Sequence, residues 1–277
     1  MFEAVSFPGG GNRCYWQGGF WESAAPALGL APQRVVGVSG GALAAAYSVL
    51  GLGPKVRALV IEGCRRGLPN IEWRALARGG DAFPVAPMYR ALLDEVLDEN
   101  AFAAIRAATD LRIMIARPPR GWPGSIAAML GLASYQIEKK LFGPVHPRWG
   151  AKLGFTANYI SVRSLPNARA WVDVTFASAS VPPIIRLQRI DGKPALDGGM
   201  ADNVPIEPLK EIEAQGGRTL VLLTRRYNRI PDIANRLYVQ PSEKIGVGQF
   251  DITRPDGIIA AYELGLRDGA AFATSQR

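Results

Sequence analysis

The chain has 277 residues, 48% hydrophobic and 20% charged, an ordinary globular balance that can bury a full core without covalent staples. Its formal charge of +8 is scattered. The densest groups are Arg65-Arg66, Lys139-Lys140 and Arg225-Arg226, none is a long basic run, and no nucleic-acid motif accompanies them, so no nucleic-acid partner is expected.

In chain order, Val5-Ser6-Phe7 reads as a short strand that stops at Pro8 and three glycines. Tyr15 to Leu30 reads as a helix interrupted near Pro26, and Arg34 to Val38 as a β-branched strand. An Ala-rich helix opens at Gly40. Helical segments follow around Lys55–Arg66 and Met88–Ala108, the second with Leu92, Leu93, Val96 and Leu97 at helical spacing. Leu111 to Ala116 is a buried strand. A Pro-rich loop at 118–124 leads to a helix over Ser125–Phe142 and a second breaker-rich loop at 143–150. Phe155–Val162 is a strand and Ala168–Ala179 a helix. Arg186–Ile190 and Ala195-Leu196 are short strands, Ile206–Gln215 is a helix, 219–224 a strand, and the tail from Ile258 is helical.

Strands therefore alternate with helices from end to end, which predicts an α/β three-layer sandwich with a mainly parallel central sheet. The expected organisation is one domain over 1–277, with 118–150 as a lid or insertion and 243–277 as a C-terminal helical tail. Cys14 and Cys64 imply no disulfide framework, and His146, the single histidine, argues against a Cys/His zinc site; no metal or cofactor is called for. The N-terminal MFEAVSFPGGG carries Glu3 and lacks both a basic n-region and an apolar h-region. The longest apolar stretch, Ala42 to Gly53, is too short and Gly-rich to cross a bilayer. A cytoplasmic protein is expected, its positive surface suited to peripheral contact with anionic membranes.

Three strings carry chemistry. Gly37-Val38-Ser39-Gly40-Gly41 is a G-x-S-x-G pentapeptide between a strand and a helix, the setting of a nucleophile elbow. The helix N-terminus behind Ser39 favours developing negative charge. The same string also fits a tight turn with a passive serine. Gly9-Gly10-Gly11-Asn12-Arg13 sits at another strand-to-helix handover, where bare N–H groups can cradle an anion such as a tetrahedral oxyanion; a flexible glycine turn is the plainer alternative. Cys14 occupies the third glycine's place of a dinucleotide fingerprint, and no Walker lysine is present. Asp197-Gly198-Gly199 presents an acid at the end of a short strand, which is also common turn chemistry. A triad through His146 would run Ser–His–Asp, unlike the Ser–Asp–His order of α/β-hydrolases, and His146 equally fits a loop-packing role. Without it, Asp197 is left as the partner of Ser39, and burial must raise its proton affinity for it to act as a base.

Together these strings resemble the patatin-like phospholipase family. GGGNR at 9–13 is similar to its oxyanion-hole loop, GVSGG at 37–41 to its elbow, FASASVPPII at 176–185 to the segment before its acid, and DGGMADNVP at 197–205 to its acid motif, with Asn203 and Pro205. The resemblance implies a Ser39–Asp197 dyad acting on esters of phospholipids, lysophospholipids or neutral glycerides. It implies oxyanion donors at Gly10, Gly11 and Gly40, support of the negative charge or of the glycine loop by Arg13, and structural roles for Gly37, Gly41, Gly198 and Gly199. Two residues depart from the pattern: Cys14 replaces a glycine and Ser180 an alanine. A serine esterase or thioesterase for small acyl substrates, and a lipid-binding module without turnover, are the rival readings.

Overall fold

The computed structural model describes residues 1–78 and 82–276. Its centre is an eight-stranded sheet of β1 (Ala4–Phe7), β2 (Arg34–Val38), β3 (Asp110–Arg117), β4 (Thr156–Ser161), β5 (Gln188–Ile190), β6 (Lys193–Asp197), β7 (Thr219–Leu222) and β8 (Arg236–Val239), in the order β5-β6-β3-β2-β1-β7-β8. From β3 to β8 every pairing is parallel, while β4 and β6 run antiparallel to β3. β5 and β6 form a hairpin closed by Asp191-Gly192, both with positive φ, the backbone of a type I′ turn.

The central strands are buried on both faces, so they read as continuous apolar runs rather than alternations. On one face Val5, Phe7, Val35, Leu111, Ile113, Leu220 and Leu222 join the main core. That face is covered by α1 (Tyr15–Leu28), α2 (Gly40–Val49), α3 (Gly53–Arg65), α5 (Val85–Val96), α6 (Glu99–Ala108), α9 (Ala168–Ala177) and α11 (Pro255–Ser275), with a short α4 (Trp73–Ala77) beyond α3. On the other face Ala4 and Val36 pack on Leu209 and Ile212, the latter in α10 (Lys210–Ala214), and Val221 and Leu223 pack on Val204 and Val145. Completing the chain are α7 (Gly124–Leu141), which packs by Ala127 and Ala128 against Phe155, Leu196 and Met200, and the short α8 (Trp149–Lys152).

Several expected boundaries move, each for a local reason. Pro26 does not interrupt α1, which runs on to Leu28 and ends at Gly29 in the left-handed region. The expected helix Met88–Ala108 is two helices, because the Asp98 carboxylate caps a new start by accepting from the Ala101 N–H at 2.7 Å. β8 lies outside the expected elements: RLYV is a four-residue edge strand whose pairing is supplied by β7. Trp16, Phe20 and Trp21 belong to the core, Phe20 packing between Trp16 and Phe272 at 5.2 Å from each ring. Among the described residues no helix is long and apolar enough to cross a membrane.

Candidate active site

The sheet register brings the two key side chains together. β2 pairs with β3 from Arg34↔Asp110 to Val38↔Met114, and β4 occupies the opposite edge of β3 from Arg112 to Arg117. β6 pairs with Ile115 and Ala116, so it must use the edge that β2 has just vacated. The strands run in opposite directions along that edge and meet end to end. Val38 lies opposite Met114 and Asp197 opposite Ile115, so Ser39 leaves β2 where Asp197 ends β6.

Ser39 has φ 55° and ψ −135°, a backbone that L-residues avoid and that surrounding contacts must hold. Its N–H donates to Ser178 Oγ at 2.8 Å, and Ser178 in turn donates to the Met114 carbonyl at 2.6 Å. The Ser39 carbonyl accepts from the Ala42 N–H at 2.9 Å. Behind it, Gly41 packs so tightly on β1 that a Cβ there would lie 2.2 Å from the Phe7 carbonyl oxygen. Gly37 pairs with Phe7 and Ile113 within the sheet.

Asp197 is buried, with 7% of its surface exposed, the same as Ser39. Its N–H donates to the Ser180 carbonyl at 2.8 Å and its Oδ1 accepts from the Gly199 N–H at 2.7 Å. Burial pushes its carboxyl up to about 6, against the opposing pull of hydrogen bonds from the Ser39 side chain and the Gly199 N–H. Gly198 and Gly199 form a 3-10 turn immediately after the acid.

The glycine loop is fixed through Gly9. Its carbonyl accepts from Thr224 Oγ1 at 2.7 Å and Asn203 Nδ2 at 3.1 Å, and its N–H donates to the Asn203 carbonyl at 3.1 Å. Gly11 adopts φ 55° with the Gln249 carbonyl pressed against it, 2.1 Å from where a Cβ would sit. The N–H groups of Gly10, Gly11 and Gly40 make no hydrogen bond among the described residues. Ser39 and Gly11 sit between two small cavities. One, of about 50 Å³, is bounded by Gly10, Asp197, Gly199, Asn203 and Tyr135. The other, of about 60 Å³, is bounded by Gly40, Leu43, Tyr47, Val85, Tyr89 and Ile185. The second shares Asn12, Tyr15, Val85 and Tyr89 with a larger groove of about 290 Å³ between α3 and α5, lined by Leu59, Val60, Met88 and Leu92.

The expected site residues thus gather around Ser39, with one exception. Arg13 borders neither small cavity; its Nε reaches the Val247 carbonyl at 3.5 Å, on the segment that carries Gln249 and Phe250 over the site. The two departures from the family pattern are accommodated. Cys14 is buried against Gly40 with its Sγ 3.6 Å from the Pro8 carbonyl, and burial pushes its thiol up, so it is not a low-pKa thiol. Ser180 donates to the Arg186 carbonyl at 2.7 Å while receiving the Asp197 N–H. His146 lies elsewhere: its Nδ1 is 2.9 Å from Asp202 Oδ2 and its Nε2 2.9 Å from the Tyr238 hydroxyl. Arg236 donates to that hydroxyl at 3.1 Å, so the tyrosine proton is free to point at Nε2, leaving Nδ1 to donate to Asp202. Ser178 falls within the FASASVPPII string, but its bond to the Ser39 N–H, like the contacts of Thr224 and the Gln249-Phe250 pair at the site, spans a long sequence separation that no local string shows.

Fold and site together define an α/β protein with a serine at a strained strand-to-helix turn and, beside it, a buried carboxyl of raised proton affinity. The patatin-like phospholipase family model matches residues 5–210. The chain belongs to this family of hydrolases. VipD from Legionella pneumophila, known from a crystal structure, is similar in fold, with a TM-score of 0.50 and 13% identity over 99% of this chain and 67% of that one. No curated protein matches the sequence.

Proposed function

We propose that the chain is a serine lipid acyl hydrolase that cleaves carboxylic esters through Ser39 and Asp197, with no histidine in the reaction. The observation that carries this reading is the end-to-end meeting of β2 and β6 on β3, which sets the Ser39 hydroxyl against a carboxyl held near 6 by burial. Asp197 takes the Ser39 proton as Oγ attacks the ester carbonyl carbon. The oxyanion is met by the uncommitted N–H groups of Gly10, Gly11 and Gly40, at the N-terminus of α2. Asp197 returns the proton to the leaving alcohol, and the acyl group stays on Ser39. Water then attacks the acyl-enzyme, Asp197 accepts its proton and passes it back to Ser39, and the carboxylic acid leaves.

The apolar passage from Ser39 past Tyr15, Val85 and Tyr89 toward the α3–α5 groove supports an aliphatic acyl chain over a small polar one. Phospholipids and other glycerolipid esters are the proposed substrates, and anionic membrane surfaces the setting. Labelling with a fluorophosphonate tests the chemistry. Label on wild type and on His146→Ala, lost in Ser39→Ala and Asp197→Asn, is the expected result. Folded His146→Ala without label would replace the dyad with a triad, and wild type that never labels, vesicles included, would favour a lipid-binding module.

A further inference from the structure

An 18-residue helix at the rim of the site presents large apolar side chains to solvent as well as small ones to the body. The inner face of α7 uses Ala127, Ala128, Gly131 and Ser134 to pack on the body, and Leu132, Tyr135 and Gln136 reach the cavity that holds Ser39 and Asp197. The outer face carries Ile126, Met129, Leu130, Ala133, Ile137 and Leu141, all exposed, at the three- and four-residue steps of one helical stripe that Lys140, also exposed, interrupts only near its C-terminal end. Met129 is 66% exposed and the adjoining Phe142 69%. Eight of the twelve exposed large hydrophobics among the described residues lie between positions 122 and 153, so they form a patch and not scattered singles. A helix on a water-facing surface normally turns polar side chains outward, and one that is apolar all round is normally covered.

Charge identifies the cover. Between 118 and 154 the chain carries Arg120, Lys139, Lys140, Arg148 and Lys152. The single acid in that stretch, Glu138, is buried and spends both carboxylate oxygens on the N–H groups of Arg148 and Trp149. The stripe is therefore bordered by cations with no exposed acid in the segment. Lys139 sits 5.7 Å from the Tyr135 ring, with the Arg225 and Arg13 guanidiniums nearby, so basic groups continue from the stripe toward the site. A protein partner would meet apolar surface with mixed charge at its rim. An apolar stripe about 22 Å long, bordered within its own segment by cations and flanked by Trp122, matches the boundary of an anionic bilayer, where aromatic and apolar side chains enter the acyl layer and cations meet the headgroups.

We propose that the outer face of α7, from Trp122 to Phe142, docks this protein on anionic lipid bilayers and lays the Ser39 cavity against the lipid surface. The helix lies in the interface; no helix in the described residues is long and apolar enough to cross it. Docking itself needs no turnover, whereas its consequence, delivery of ester from the bilayer into the cavity, rests on the acyl-hydrolase reading above.

The test is sedimentation with vesicles, run in Ser39→Ala protein so that hydrolysis plays no part. Phosphatidylglycerol-containing and pure phosphatidylcholine vesicles are compared with Met129→Glu/Ile137→Glu and, as a control outside the stripe, Ile230→Glu. The expected result is binding to anionic vesicles that weakens with salt, falls on the order of tenfold or more in the double variant, and is unaltered by Ile230→Glu. Because Cys14 and Cys64 are both buried, Met129→Cys accepts a polarity-sensitive dye selectively, and its emission should shift to the blue on anionic vesicles. Thermal melts of the double variant check that it is folded. The proposal is overturned if the folded double variant binds as tightly as its parent, if the dye stays in water while the protein is bound, or if gel filtration shows a dimer through this stripe that binds no vesicles. Failure here with intact fluorophosphonate labelling leaves the hydrolase reading standing, and the reverse outcome leaves the docking face standing.

Discussion

Asp197 and Asp202 stand on the same short stretch of chain, and burial raises the proton affinity of both carboxyls. They differ in partner. Asp197 faces Ser39 at the meeting point of two strands, and its other contact is a single backbone N–H at 2.7 Å. Asp202 is engaged on both oxygens, by His146 Nδ1 at 2.9 Å and the Val204 N–H at 2.9 Å. The imidazole continues to Tyr238, Arg236 and Glu213, so it ties the acid-motif loop to the β8 edge. The single histidine of the chain thus contacts one of these carboxylates, and the serine side chain faces the other. Position along β3, not residue chemistry, decides which carboxylate meets the serine.

The sharpest way to break this comparison is Asp197→Asn. On the dyad reading, hydrolysis of a soluble ester falls about 10³- to 10⁴-fold, measured as kcat/KM. The same change should stabilise the fold at pH 8. The Asp197 pKa in the folded state lies above its unfolded value, so the carboxyl favours the folded state below about pH 4 and that stability is lost as pH rises through about 6. A gain of roughly 2–3 kcal/mol is the ceiling, read by chemical denaturation, and it should shrink toward acid pH. If Asn lowers stability equally at every pH, the raised pKa is wrong.

In the wild type, kcat/KM should rise tenfold per pH unit up to an inflection near 6 and then level off, because Asp197 must be ionised to accept the serine proton. The inflection should survive in His146→Gln, and its disappearance there would return the histidine to the reaction. His146→Ala should leave kcat within a few-fold while costing about 1–3 kcal/mol in urea denaturation, since Asp202 and the Tyr238 hydroxyl lose a partner together. The smallest effect is expected from Ser178→Ala, which takes the acceptor from the strained Ser39 N–H and should cost about 1 kcal/mol with a several-fold fall in kcat.

Much of the site was legible because it is built from local strings. GVSGG marks a strand handing over to a helix, and its tight turn leaves little choice of residue at Gly41, pressed on the Phe7 carbonyl. GGGNR and DGGMADNVP are likewise short motifs that end strands, and the strand and helix alternation that predicts a parallel sheet depends on periodicities of a few residues. What the sequence could not reach depends on register and on packing between distant elements. The short β8 has its pairing from β7, the split of the expected long helix rests on the Asp98 cap, and Arg13 is drawn to the Val247 carbonyl away from the cavity.

By itself, then, the sequence determined the class of fold, the serine at its turn and the acid at its strand end, because each is set by neighbours within a few residues. Tertiary structure decided that β2 and β6 abut on one edge of β3, that His146 faces Asp202, and that α7 leaves an apolar stripe uncovered. Those outcomes follow from which edges and faces are already occupied when distant segments meet, and no local string encodes that occupancy.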